Sequence, residues 1–201
     1  MTAAFNTFPT TTVTANAIAS NIDGVTLTSM NSFGQAAVTF SGQNCGAKKP
    51  ERIKKIITYC IIQSMLTGLI VAILELTFAD PLISLYLDAD AEGREIVAAT
   101  AKSIMTVILT SYVIYGILDS ASSCLKGLGY TFTSMMISLI CICGIRMIWI
   151  LGVFPKIGTL TSLLLAYPIS WVLASISALV AFLIAFSRFK KRLKAEQGNV
   201  L

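Results

Sequence analysis

The stretch that decides the fold runs from Thr10 to Lys55 and reads TTTVTANAIASNIDGVTLTSMNSFGQAAVTFSGQNCGAKKPERIKK. It is too polar for an ordinary membrane span and too regular for a loop. At about 100° per residue, its apolar residues predict one helix face: Ile18, Ile22, Val25, Phe33, Ala36 and Phe40. The other side is rich in amides and hydroxyls: Asn16, Ser20, Asn21, Asp23, Thr28, Asn31 and Gln35. Such a helix belongs beside an aqueous cavity within a membrane bundle.

The composition of the chain indicates an integral membrane protein. Of its 201 residues, 55% are hydrophobic and 12% are charged, and the mean hydropathy is +0.78. A soluble domain carries about 25% charged residues. The net charge of +5 comes from short clusters beside apolar stretches, which is typical of a membrane-orientation signal rather than of a nucleic-acid-binding face. We therefore expect the lipid bilayer, and no nucleic acid, as a partner.

The residue types that carry most site chemistry are missing or isolated. The chain has no histidine, which excludes histidine-based catalysis, metal ligation and proton relays. Its five cysteines form neither a zinc-ligand spacing nor a disulfide framework, and they are interpreted as small core residues. No nucleotide-binding loop is present. The sequence therefore predicts no enzyme, no metal site and no cofactor.

Hydropathy divides the chain into a membrane domain, residues 1–187, and a basic tail, residues 188–201. About 20 apolar residues cross a bilayer core. Five spans are predicted, at about 12–42, 56–78, 97–125, 132–154 and 160–186. Between the second and third spans, PLISLYL is predicted as a short interfacial helix and DADAEGRE as an acidic loop. The expected fold class is an all-α, polytopic bundle of about five transmembrane helices.

The basic residues set the orientation of this bundle. Five Lys and Arg residues follow the first span and five more lie in the tail. The acidic connection between the second and third spans has only one basic residue, Arg94. Basic clusters remain cytoplasmic. We expect a multi-pass protein of the cell inner (plasma) membrane with its C-terminus in the cytoplasm and its N-terminus outside. The N-terminal MTAAFNTFPTTT lacks the basic region of a signal peptide.

Three motifs resemble the multidrug and toxic compound extrusion (MATE) transporters. FGQAAVTFSGQNCGAKKPERIKK (Phe33 to Lys55) is similar to the end of a helix and its following loop in that family. CLKGLGYT (Cys124 to Thr131) resembles the family's Leu-Arg-Gly-x-Gly signature, with Lys126 in place of the arginine. YPISW (Tyr167 to Trp171) resembles the start of the last span in bacterial members.

The resemblance implies that the chain is part of a larger transporter. Family members have twelve spans in two lobes of six, and this sequence is similar to the second lobe without its first helix. The partners it implies are small organic, cationic substrates and a missing N-terminal lobe. The coupling ion it implies is Na⁺ or H⁺. An odd number of spans and an outside N-terminus are both accounted for if the sequence is a fragment.

Asp119 and Asp23 are the candidate cation-coupling residues. An ionisable group in a span is costly unless it pairs, faces water or binds an ion. In some family members an aspartate in the helix that corresponds to the third span couples cations, although Asp119 lies about one helical turn closer to the LKGLG motif than the resemblance implies. The alternative for Asp119 is solvation or pairing with Lys126. The oxygens of Asp23 also suit a hard cation. The alternative for Asp23 is a role in an interhelical hydrogen-bond network.

The candidate cavity and substrate residues are polar groups among apolar walls: Asn16, Ser20, Asn31, Gln35 and Tyr115. An alternative applies to the row at fourfold spacing formed by Ser20, Gly24, Thr28 and Ser32, which is typical of close helix packing and is the favoured interpretation of that row. Arg146 is interpreted as a snorkelling or paired residue and Glu75 as a solvated residue near the outer membrane boundary.

Three functional hypotheses follow. The first is MATE-type multidrug and xenobiotic efflux by antiport with Na⁺ or H⁺, in which ion and substrate compete for one negative cavity at Asp23 and Asp119. The second is a flippase for lipid-linked saccharides of the same superfamily, whose cavities are more basic. The third is a non-transporting, truncated membrane half, because one lobe alone leaves its polar helix without an opposite wall.

Overall fold

Helices make up the regular structure of the computed structural model, which describes residues 2–87 and 93–198. They are α1 (Thr2–Phe5), α2 (Thr10–Gly46), α3 (Pro50–Thr77), α4 (Ala79–Ser84), α5 (Arg94–Gly127), α6 (Thr131–Ile157) and α7 (Leu160–Gly198). No strand occurs among the described residues. The prediction of an all-α membrane bundle is confirmed.

Four of these helices, α3, α5, α6 and α7, are long and apolar enough to cross a membrane. The polar α2 is not among them, because its amides and hydroxyls lower its hydropathy. It is nevertheless about 55 Å long by its residue count, against about 30 Å for a hydrocarbon core. It also packs along α3 and α5. That α2 forms a fifth span stays a prediction.

The central helix is α5, which packs against α2, α3, α6 and α7. Its last turns bury a continuous run of small residues from Ser120 to Cys124. Small side chains let neighbouring backbones approach closely. Near this run the Ser41 hydroxyl of α2 donates to the Cys124 sulfur at 3.2 Å. In contrast, α6 is peripheral and packs mainly against α5 and α7.

The buried face of α2 differs from the predicted apolar stripe. Its buried residues are Ala15, Ile18, Ala19, Ile22, Thr26, Met30, Gly34, Ala37 and Ser41. The stripe prediction holds at Ile18 and Ile22 but is wrong at Val25 and Phe40, which are 61% and 51% exposed. Large apolar side chains lose little by facing lipid, whereas small ones permit close packing. The buried seam of α2 therefore follows small residues more than apolar ones.

The close packing that was the favoured interpretation of the row from Ser20 to Ser32 is not observed within the described chain. Ser20, Thr28 and Ser32 are exposed among the described residues. A methyl group built at Gly24 would meet no atom within 4 Å. This row therefore lies on the side of α2 that faces away from the bundle.

Short turns join the long helices as neighbours. Between α2 and α3, Lys48 adopts a left-handed conformation with φ 56°, and Pro50 opens α3. Proline suits this first helical position because its φ is fixed and its missing N–H has no partner there in any case. Between α5 and α6, Gly129 has φ 87°. Turns of this length place successive helices antiparallel.

The two ends of the bundle differ in charge. At the basic end, which carries the α2–α3 turn, α7 extends beyond the apolar part of the chain, so the described tail residues are helical. Two ion pairs hold this extension against that turn, Lys48–Glu196 and Lys190–Glu51. At the opposite, acidic end, α4 begins at Ala79, two residues before the predicted short helix. The acidic-loop prediction falls largely on residues 88–92, outside the described residues.

The helix α6 contains two π-helical segments, Ser138–Gly144 and Trp149–Val153. They were not predicted, because the apolar sequence of α6 carries no signal for the wider hydrogen-bond register. A π-helical turn carries an extra residue and rotates the side chains that follow it. Arg146 lies between the two segments.

Candidate functional site

The polar side of α2 is open along its length. Ser20, Asn31 and Gln35, three of the predicted cavity residues, are exposed, and Asn16 is half-buried at the start of the same side. The hydroxyls of Thr28 and Ser32 donate hydrogen bonds to backbone carbonyl groups one turn earlier in α2. The amides therefore remain available to groups outside the helix.

One contact joins this open side to the central helix. The Tyr115 hydroxyl of α5 donates to the Asn31 side-chain oxygen at 3.4 Å. The structure thus brings together two of the predicted substrate residues, from sequence positions far apart. Tyr115 also packs edge-on against Tyr112, with ring centroids 5.8 Å apart. An amide and an aromatic hydroxyl together offer both hydrogen-bonding and stacking contacts to an organic ligand.

Asp119 lies one turn farther along α5, against the backbone of α2 at Gly34. A methyl group built at Gly34 would lie 2.2 Å from the Asp119 Oδ2 atom. That oxygen is buried and has no hydrogen-bond partner among the described residues. Asp119 also forms no ion pair within the described chain, and Lys126 is exposed. The alternative of pairing with Lys126 is therefore not observed.

Asp23 lies nearer the acidic end, in a different environment. The fully buried Tyr112 side chain lies against it, and its Oδ1 atom is buried without a hydrogen-bond partner among the described residues. Glu75 of α3 is near enough for the two negative charges to interact. Asp23 and Glu75 are therefore two interacting carboxylates in this part of the bundle.

Asp23 and Asp119 lie at different levels along α2. Asp119 contacts α2 at Gly34, eleven residues beyond Asp23, which corresponds to about 16 Å along a helix. The two carboxylates therefore lie at different levels of the bundle, and Tyr115 is near enough to interact with both charges. That they share one negative cavity stays a prediction.

Glu75 is a buried residue that sequence reasoning placed in solvent. It is 6% exposed, and both carboxylate oxygens are buried without a hydrogen-bond partner among the described residues. The prediction was wrong because α4 folds back against α2 and α3. A signal was present in the sequence, since Glu75 continues the buried row of Ser64, Gly68 and Ala72 on α3.

Arg146 is held by an aromatic cluster rather than by a carboxylate. Its Nε donates to the Ser170 hydroxyl at 3.0 Å, and its guanidinium lies 4.2 Å from the centroid of the Tyr167 ring. Trp171 stacks on Tyr112 at 5.3 Å, which connects this cluster to the surroundings of Asp23. The Arg146 Nη2 atom is buried without a partner among the described residues.

A family model and two solved structures match this chain. The MatE family model matches residues 1–150. No match is found among curated proteins. A solved structure described as the outward-facing conformation of a multidrug resistance MATE family transporter of the MOP superfamily has a TM-score of 0.76 and 16% identity. The match covers 89% of this chain and 39% of the chain in that structure.

A second solved structure is described as the inward-facing conformation of a multidrug resistance MATE family transporter of the same superfamily. Its TM-score is 0.73 at 17% identity, with 90% of this chain aligned to 43% of that one. The chain therefore spans less than half the length of either structure. At this level of identity the two matches show a shared fold.

Proposed function

This chain belongs to the MatE family of membrane transporters, and from that premise we propose that it is the ion-coupled part of an efflux antiporter. The transporter would export organic, cationic compounds in exchange for Na⁺ or H⁺, as a multi-pass protein of the plasma membrane with a cytoplasmic C-terminus. The missing N-terminal lobe would supply the wall opposite the open side of α2.

The observation that carries this proposal is the unpartnered carboxylate of Asp119 beside the open side of α2. A buried carboxylate without a partner is costly when it is charged. Binding a proton or a Na⁺ ion removes that cost, since hard cations prefer oxygen ligands. An organic cation removes it in the same way. Ion and substrate therefore exclude each other, which is the condition for exchange.

Asp23 takes a different part in this proposal from Asp119. It lies beside Tyr112 and near Glu75, where a second ion would relieve repulsion between two buried carboxylates. Asn31, Gln35 and Tyr115 then contact the substrate, while Asn16 and Ser20 continue the same polar side toward the acidic end. Ion binding first at one of these two carboxylates and then at the other would shift the packing of this lobe against the N-terminal lobe.

A second candidate function is supported by Arg146. A flippase for lipid-linked saccharides must hold both an anionic phosphate and sugar rings. The buried, unpartnered Nη2 atom of Arg146 and the neighbouring Tyr167 and Trp171 rings would suit such a ligand. The carboxylates near the open side of α2 favour cationic cargo instead, so this function is the alternative.

A third candidate is a non-transporting half. It is compatible with the coverage of only 39% and 43% of the two structural relatives by this chain. Blotting source membranes with an antibody against KKRLKAEQGNVL (Lys190 to Leu201) gives the size of the native polypeptide and therefore the form to use in transport assays. We expect the 201-residue product alone not to transport, because its polar helix lacks an opposite wall.

The test is dye efflux from cells that lack other pumps, using the native polypeptide. Asp119→Asn should lower gradient-driven efflux at least tenfold, and Asp23→Asn should lower it less, because Glu75 remains beside it. Glu95→Gln, an exposed acid on the same helix as Asp119, is the control and should be unchanged.

Two results would overturn the antiport proposal. One is efflux by Asp119→Asn that stays within twofold of the parent. The other is a parent that exports no dye while lipid-linked sugar accumulates when the protein is lost, which would establish the flippase. Gradient-driven efflux by the 201-residue product alone would refute the truncated-half hypothesis.

A further inference from the structure

A small cleft lies at the basic end of the bundle, between the α2–α3 turn and the extension of α7. Its volume is about 180 Å³, and it is lined by Lys48, Pro50, Lys190, Leu193 and Lys194. Three of these residues are cationic, and no acid lines the cleft among the described residues. Small-molecule sites are typically about 300–1,000 Å³, so the cleft is too small for a drug-sized compound. Its size and charge suit one small anion, such as a phosphate group.

The surroundings of the cleft carry a large excess of positive charge. Residues 48–59 and 186–196 together contain ten Lys and Arg residues and two Glu residues. Both glutamates are already in the two ion pairs that hold the extension of α7. Lys194 forms no ion pair among the described residues. Like charges repel one another, and an anion placed among them removes that repulsion.

Two features of the backbone add to the positive character of the cleft. Pro50 opens α3, and no side chain caps that end of the helix. The N-terminus of a helix carries a partial positive charge. Lys48 has a φ of 56°, which is uncommon for a residue with a side chain. This conformation accompanies a Lys48 side chain that reaches across to Glu196 of α7.

The cleft also lies at the level where the apolar parts of α3 and α7 end. On α7, Leu183 and Ile184 are exposed about two turns before Lys190. On α3, Tyr59 is exposed one turn beyond Lys55, and tyrosine is enriched at membrane–water interfaces. Clusters of about four to eight Lys and Arg residues beside a membrane span attract anionic lipid headgroups. The position of the cleft therefore favours a lipid headgroup over a soluble anion.

We propose that this cleft binds the phosphate group of one anionic phospholipid, such as phosphatidylglycerol. Lys194 contacts the phosphate, and Lys48 and Lys190 turn toward it from their glutamates, because exposed ion pairs are weak. The acyl chains lie along the exposed side chains of Leu183 and Ile184. The bound lipid thereby joins the start of α3 to the extension of α7.

The charge of the lysines also determines which phospholipids fit. A zwitterionic lipid such as phosphatidylcholine carries its own cationic group, which would be repelled by the same three lysines. The site is independent of the cargo and of the coupling ion. Its failure would therefore leave the antiport proposal unchanged.

The experiment is native mass spectrometry of the purified full chain in an uncharged detergent, titrated with phosphatidylglycerol. This method resolves the protein with zero, one and more bound lipids, so it gives the Kd of the first lipid. We expect saturable binding of this lipid, at least tenfold tighter than that of phosphatidylcholine with the same acyl chains. Glycerol 3-phosphate, a soluble fragment of the headgroup, should not compete, because it has no acyl chains.

Two variants separate the cleft from the general positive charge of α7. Lys194→Gln removes a lysine that lines the cleft and should weaken phosphatidylglycerol binding about fivefold, the effect of one basic residue at an anionic membrane surface. Lys191→Gln removes the same charge from an exposed residue of the same helix outside the cleft. It is the matched control and should stay within twofold of the parent.

A third variant should strengthen binding, which a folding defect would not do. Glu196→Gln removes the acid that pairs with Lys48, so this lysine becomes available to the phosphate and the Kd should fall at least twofold. Glu95→Gln changes the net charge equally but removes an exposed acid from the start of α5, at the opposite end of the bundle. It should bind the lipid like the parent.

The proposal fails on any of four results. One is equal weakening by Lys194→Gln and Lys191→Gln, which would indicate attraction by net charge without a defined cleft. Another is equal affinity for phosphatidylcholine, which would indicate that the acyl chains alone bind. The third is displacement of the lipid by glycerol 3-phosphate, which would make a soluble phosphate the ligand. The last is an absence of saturable phosphatidylglycerol binding to the parent.

Discussion

Gly34 determines where the Asp119 carboxylate can lie. With no side chain at this position, the Asp119 oxygens approach the backbone of α2, where any larger residue would occupy their place. The sequence identified Asp119 as an ionisable residue within a span. It did not reveal the glycine opposite, because nothing in the sequence pairs α5 with that turn of α2. The chemistry of the residue was predictable and its partner was not.

Substitution of two glycines on α2 tests this contact. Gly34→Ala should destabilise the protein by about 1–3 kcal/mol, because the added methyl group forces the Asp119 carboxylate out of its place. Gly24→Ala, on the same helix, meets nothing within 4 Å and should be stabilising by up to about 1 kcal/mol through helix propensity. Tryptophan fluorescence during thermal unfolding in detergent measures both. Equal shifts of the two midpoints would contradict the contact.

Among the elements, α2 shows what hydropathy and periodicity can predict in a membrane protein. Its helical structure was predictable, since both the polar pattern and the proline that opens α3 are visible in the sequence. The predicted span, about 12–42, lies within the helix Thr10–Gly46. The buried face of α2 was not predictable, because burial in a bilayer follows the size of a side chain as much as its polarity. The same limit applies to Glu75, whose burial depends on how the short helix α4 folds back.

The helical extension of α7 should depend on its two ion pairs. Both are exposed, and exposed pairs contribute about 0–1 kcal/mol, so Glu51→Gln with Glu196→Gln should leave the thermal midpoint unchanged. The last turns of α7 should, however, exchange amide hydrogens several-fold faster, because they have few other contacts. Hydrogen-exchange mass spectrometry over residues 188–196 measures this effect.

The control for this prediction is Glu95→Gln, which removes an acid from the first turn of α5 just as Glu51→Gln does from α3. It should leave exchange in α7 unchanged. High salt should reproduce the effect of the double variant in the parent, because screening weakens exposed pairs. Unchanged exchange in the double variant would show that the extension is held by other contacts.

At the scale of the whole molecule, the same fold matches a transporter solved outward-facing and one solved inward-facing, with TM-scores of 0.76 and 0.73. If the antiport proposal is correct, this part of the protein should move as one body against the rest, as lobes do in alternating access. The close crossing of α2 and α5 at the basic end provides a test, since the Ser41 hydroxyl already lies 3.2 Å from the Cys124 sulfur.

Ser41→Cys should form a disulfide with Cys124 under mild oxidation, because the two side chains already meet. If the lobe moves as one body, the native polypeptide carrying this crosslink should export dye within twofold of its reduced form. Ser41→Ala is the control for the loss of the hydroxyl. Efflux that stops on oxidation and returns on reduction would show instead that α2 and α5 slide past each other during transport.

The polarity of α2 also has a consequence for biosynthesis. A segment enters the bilayer from the translocon when its own apolar residues outweigh its polar ones, and Asp23 together with the amides weighs against α2. Its neighbours α3 and α5 are strongly apolar and supply the contacts that α2 needs. During synthesis α2 therefore depends on helices that emerge after it, so we expect α2 to reach its stable place in the bilayer only when α3 and α5 have been made.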